Sequence, residues 1–246
     1  MTSYQGPRLT GPVPTRDTFA LPKRHDEADV PIRNSLQVTP VWKLMTSPAM
    51  DRLIALIACI PFAYSLKHEL RTFGFNFAWI VANANFILLV ATMLIRRAPA
   101  RVTPNPLYWL LAFVATYWLF IVGRFATQGS AAAPAWVIFA LSCASFGISV
   151  WARLSLGRSI GLVPAQRGIV TRGAYRFMRH PIYTGVYCAY VALALQNFSL
   201  LNGTIFAIGA GLFVIKSFVE ENFLRQDTEY ALYMKAVRWR WLPYVV

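Results

Sequence analysis

The sequence predicts an all-α integral membrane protein of about six transmembrane helices, the first of them short, with both termini on the cytoplasmic side. Three observations carry this. Hydrophobic residues make up 57% of the 246 positions and charged residues only 14%, with mean hydropathy +0.45, against about 45–50% and about 25% in soluble domains. Long charge-free windows recur along the chain at spacings that suit membrane helices. And 21 of the 24 lysines and arginines fall on alternate connections if the N-terminus lies inside, leaving Lys67, Arg71 and Arg124 on the far side, which is the asymmetry of cytoplasmic loops. The net charge of +14 therefore belongs to membrane topology, and nucleic acid is not an expected partner. The lipid bilayer is.

Residues 1–47 are polar, with Pro12, Pro14, Pro22 and Pro31 and no apolar core of a signal peptide; a flexible cytoplasmic tail is expected there. Residues 48–155 supply the N-terminal spans. Leu53–Leu66 is apolar for only 14 residues, about 21 Å of helix against a hydrocarbon core of about 30 Å, so it must tilt little, let Arg52 and Lys67 snorkel, or stay partly interfacial. Phe77–Ile95 is long enough, and its Asn83 and Asn85 are expected to face neighbouring helices. Val102–Gly123 holds the next span, and Phe125–Ala152 another, starting near Pro134 as a first-turn residue.

Residues 156–246 are expected to carry the activity. Between Arg179 and Lys216 no charge occurs; a single helix of that length would measure about 54 Å, and Asn197, Ser199, Asn202 and Gly203 break it into a hairpin, Ile182–Phe198 and Thr204–Val219. Gly209 and Gly211 are expected to allow close helix approach. From Glu220 to Val246 the chain reads as an amphipathic interfacial helix. The three cysteines, Cys59, Cys143 and Cys188, lie in apolar runs and read as buried hydrophobes; no metal-ligand cluster is present.

The densest polar chemistry lies in Gln166–Gly185, QRGIVTRGAYRFMRHPIYTG. Four arginines, a His-Pro pair, three glycines and two tyrosines between apolar spans have the composition of a ligand site. Proline stiffens the residue before it, and Gly168, Gly173 and Gly185 admit close backbone approach. Lys216 and Glu220, four apart, share a helix face at the same membrane boundary. They read either as an intrahelical ion pair or as two walls of a cavity that the loop also reaches. Glu220 and Glu221 at a membrane boundary call for partners.

GAYRFMRHPIYTG, followed by EENFL and EYALYMKAV, resembles the integral membrane methyltransferases of the isoprenylcysteine carboxyl methyltransferase type over about residues 161–243. Membrane sterol reductases share a related RHPxYxGE, but Val186 stands here where they carry Glu. An NADPH-dependent membrane reductase and a non-catalytic membrane scaffold are the competing readings. The chain also lacks the Phe-Gly pair that the methyltransferases place between Glu-Glu and Tyr-x-x-Tyr. The resemblance implies S-adenosyl-L-methionine in a cytoplasm-facing pocket formed by the loop and the C-terminal helix, a lipophilic or membrane-associated acceptor (carboxylate, amine or thiol), and residence in a bacterial inner membrane. By the same resemblance Arg167, Gly168, Ile169, Val170, Tyr175, His180, Pro181, Ile182, Tyr183 and Glu220 would hold the cofactor, and Lys216, often arginine in the family, would face the acceptor. Lys216 and Glu220 are thus the expected catalytic pair.

Overall fold

The computed structural model describes residues 77–97, 99, 101–122 and 125–245, with scattered positions between 47 and 71. The expected tail, apart from Ser47, and most of the expected first span lie outside the described residues. From residue 77 onward the described residues form six α-helices: α1 Phe77–Leu94, α2 Pro106–Val122, α3 Ala135–Leu156, α4 Pro181–Gln196, α5 Leu200–Leu224 and α6 Thr228–Ala236. Two short strands, β1 Arg101–Val102 and β2 Ala165–Gln166, pair antiparallel.

The apolar windows became helices because nothing inside them interrupts the backbone ladder. α3 with the turn after it (Ala135–Ser159) and α5 (Leu200–Leu224) are each long and apolar enough to cross a membrane, at 25 residues, or about 37 Å. Pro134 is the residue capping α3 and not its first helical position. The hairpin expected between Arg179 and Lys216 is present, with Ser199 capping α5 by accepting from the Asn202 amide. Asn202 also ties the turn to the α2–α3 connection, donating to the Thr127 carbonyl and accepting from the Thr127 amide at 2.8 and 3.0 Å. Polar side chains thus close the end of the bundle opposite the loop.

Two close approaches set the helix arrangement. Along α3, Ser142, Ser145, Ser149 and Ala152 are buried, and Ser145 Oγ donates to the Gly185 carbonyl of α4 at 2.8 Å. A Cβ on Gly185 would come within 2.3 Å of Ser149 Oγ, so glycine is what lets α3 and α4 touch. Small residues play this part in membrane bundles, where the hydrophobic effect does not drive helix association. At Gly209 of α5 a Cβ would meet Trp118 and Tyr190 at 2.7 Å, and Trp118 Nε1 donates to the Ile205 carbonyl. Gly211 has open space around it, so only Gly209 serves helix contact.

The C-terminal segment departs from the expected single amphipathic helix. α5 continues to Leu224, Asp227 caps a separate α6 by accepting from the Glu229 amide, and the chain beyond Val237 is not helical. The reason is a set of competing partners: the amides of Arg179 and His180 donate to the carbonyls of Trp239 and Arg240 at 2.9 and 2.8 Å. Arg179 Nη1 donates to the carbonyls of Val237 and Arg238. The tail is held as an extended strap along the start of α4.

Candidate active site

Four segments converge where the loop meets the bundle: the end of α3, the loop from Gly157 to His180, the start of α4 and the last two turns of α5. The loop is shaped by local needs. Gly168 and Gly173 have φ of +97° and +62°, a region that favours glycine. Gln166 Nε2 bonds to the Asp227 carboxylate and Tyr233 OH donates to the Tyr175 carbonyl at 2.7 Å, so α6 clamps the loop from outside. Ile169 and Tyr175 pack against Tyr230, Tyr233 and Val237. Burial pushes the phenols of Tyr175, Tyr230 and Tyr233 well above the usual tyrosine range; the charge of Glu220 adds to this at the first two, while Arg179 opposes it at the third. All three remain neutral donors at any physiological pH.

Glu221 is the anchor of this end. Its buried carboxylate accepts from Arg179 Nε at 2.7 Å, from Arg240 Nη2 at 2.8 Å, and meets His180 Nε2 at 3.1 Å. A carboxylate buried at 3% exposure is stable only with such partners. The effect is to lock the imidazole of His180, the first turn of α4 and the C-terminal strap together.

Glu220, one residue earlier, points elsewhere. Its Oε2 accepts from Tyr183 OH at 2.6 Å. The Tyr183 ring stacks on His180, with centroids 5.1 Å apart and planes 8° apart, and meets Phe213 edge-on. Lys216 does not pair with Glu220: its Nζ donates to Thr116 Oγ1 of α2 at 3.0 Å and lies 5.6 and 5.5 Å from the ring centres of Tyr183 and Phe213. Of the two readings of Lys216 and Glu220, the geometry keeps the shared cavity and sets aside the intrahelical ion pair.

That cavity has a volume of about 530 Å3, within the range of about 300–1,000 Å3 typical of small-molecule sites. Arg167, Gly168, Ile169, Val170, Tyr175, His180, Ile182, Tyr183, Lys216 and Glu220 all line it. Pro181 does not; it starts α4 behind the wall. Asn83 and Asn85 face it from α1, as expected of residues turned from lipid, together with Leu89, Leu119, Phe120 and Val186 on its long sides. Arg167 lies across Gly161, where a Cβ would meet its Nη1 at 2.2 Å. Burial lowers its pKa to about 10, with the charge of Glu220 opposing, so it stays cationic near neutrality. Sequence reasoning missed Arg153, which reads as one more basic residue at a span end, and Thr116, whose partner lies 100 residues away.

Fold and site together define a helical protein with apolar helices of membrane-crossing length and a ligand-sized cavity closed by a basic loop. Residues 134–227 match the family model described as phospholipid methyltransferase. This bears out the resemblance to integral membrane methyltransferases, and the matched stretch runs from the cap of α3 through the loop and both arms of the hairpin to the cap of α6. No curated protein matches the chain.

Proposed function

We propose that the protein is an S-adenosyl-L-methionine-dependent methyltransferase of the membrane, acting on a lipophilic or membrane-associated acceptor. One observation carries the reading: ten residues drawn from the loop, α4 and α5 line a single cavity inside the region that matches a methyltransferase family. The donor set suits that cofactor. The cavity walls are mainly apolar, as an adenosyl group needs, with the charged groups towards the loop end. The hydroxyl of Tyr175 is a hydrogen-bond donor for a carboxylate or ribose, His180 lines the same wall, and Glu220, which takes the one hydroxyl proton of Tyr183, keeps lone pairs to accept from an ammonium or a hydroxyl.

When bound, the cofactor would supply a methyl group on a sulfonium, open to in-line displacement by a lone pair of the acceptor. The chain's part is alignment and exclusion of water, since such a transfer needs positioning more than acid–base work. Tyr183 fixes Glu220 on one side, and the His180–Tyr183 stack is in turn fixed by Glu221. Lys216, held by Thr116 and flanked by aromatic rings, gives the acceptor's side a positive charge. The apolar walls contributed by α1, α2 and α4 keep bulk water from a reactive methyl.

In this reading α1, α2 and α4 also cross the membrane, both termini face the cytoplasm, and the loop end of the cavity opens there, in a bacterial inner membrane. The acceptor then enters from the bilayer. The test is transfer of labelled methyl from S-adenosylmethionine into whole membranes containing the protein, followed by fractionation. Label in a lipid or membrane-protein fraction that disappears with Glu220→Ala is expected; equal labelling with and without the protein would overturn the proposal.

A further inference from the structure

Arg153, near the end of α3, lines the cavity and is only 6% exposed. Its Nε has no hydrogen-bond partner, and Nη1 makes one long contact, 3.4 Å, to the Ser149 carbonyl one turn earlier. No carboxylate pairs with it among the described residues. The other arginines of this end are differently placed: Arg179 and Arg240 share Glu221, and Arg167 Nε donates to the Arg97 carbonyl. A buried guanidinium without a counter-charge is costly, and a chain that keeps one facing a cavity matches it with an anion from the ligand.

We propose that Arg153 holds the carboxylate of the cofactor's amino-acid end while Glu220 faces the ammonium of the same zwitterion. The inference rests on the cofactor reading above and names the residues that would orient its polar end. The cofactor has one anionic group, the carboxylate, so a cation in its pocket has one possible partner on it. Lys216 is the weaker candidate, being engaged by Thr116 and enclosed by the rings of Tyr183 and Phe213, and a lysine lacks the fork that takes both oxygens of a carboxylate. Arg153, Tyr175 and Glu220 line the same cavity, and the buried phenol of Tyr175 feels the charges of Glu220 and Arg153 with opposite sign, so a group of each charge is within electrostatic reach of one wall.

The experiment compares S-adenosylhomocysteine with its decarboxylated analogue, titrated calorimetrically into the full chain in detergent. Wild type is expected to prefer S-adenosylhomocysteine by about tenfold to a hundredfold, the range of a hydrogen bond to a charged group. Arg153→Met is expected to abolish that preference by weakening S-adenosylhomocysteine alone, and Arg153→Lys to restore part of it. Should Arg153→Met not fold, the wild-type preference and its reduction in Arg153→Lys still decide the matter. A wild type that binds both ligands equally, or an Arg153 variant that keeps the full preference, would overturn the role of Arg153 while leaving the cofactor reading intact. A wild type that binds neither would overturn both.

Discussion

Lys216 and Glu220 sit one turn apart on α5, yet their side chains serve different neighbours. Glu220 is fixed by a phenol on α4 and Lys216 by a hydroxyl on α2, so the turn that carries them faces two sides of one cavity. Replacing Lys216 by Met keeps the length of the side chain and removes its charge. If Lys216 faces the acceptor, S-adenosylhomocysteine binding should change by less than about threefold, while methyl transfer should fall by about tenfold or more, a loss of about 1.4 kcal/mol of transition-state stabilisation. Equal losses in both would instead place Lys216 in the cofactor pocket.

At this scale the sequence was partly legible. The loop residues could be read because they are contiguous and chemically dense, and all but Pro181 line the cavity. The separate tasks of Glu220 and Glu221 could not be read. Adjacent residues on a helix project about 100° apart, and nothing in Glu-Glu says which acid faces the cavity and which faces the arginines. Arg153 was equally hidden, because a basic residue at the end of a span is what topology alone predicts.

Among the elements, the loop, the start of α4 and the C-terminal strap act as one unit through Glu221. Glu221→Gln would leave Arg179 and Arg240 without their counter-charge, and breaking a buried ion pair by removing one partner costs about 3–5 kcal/mol. A marked drop in the melting temperature of the detergent-purified protein is expected. Glu220→Gln loses only the strength of one phenol contact, about 1 kcal/mol, and should melt close to wild type. Equal melting of the two variants would contradict the division of labour between the acids. The strap was not legible beforehand because its partners lie some 60 residues upstream at Arg179 and His180; the aromatic and basic pattern of Glu220–Val246 fits an interfacial helix until those carbonyls are claimed. The hairpin, by contrast, followed directly from an uncharged stretch too long for one crossing.

For the whole molecule, membrane character followed from composition, and two apolar helices of crossing length together with the family match over residues 134–227 support it. The number of crossings and their orientation rest on the distribution of lysine and arginine. With single cysteines introduced into a cysteine-free chain, a membrane-impermeant thiol reagent applied to intact cells should spare Arg172→Cys and Arg238→Cys and label Arg124→Cys. Labelling of the first two from outside would invert the topology and place the loop on the wrong face for a cytoplasmic cofactor.

Whether the cavity takes S-adenosylmethionine is decided by calorimetric titration of its product, S-adenosylhomocysteine, into purified wild type, His180→Ala and Glu220→Ala. Saturable binding by wild type is expected, with an affinity at least about tenfold lower in each folded variant, in keeping with the loss of a charged or well-placed hydrogen bond. Absence of binding by folded wild type, or binding that both variants retain in full, would contradict the cofactor reading.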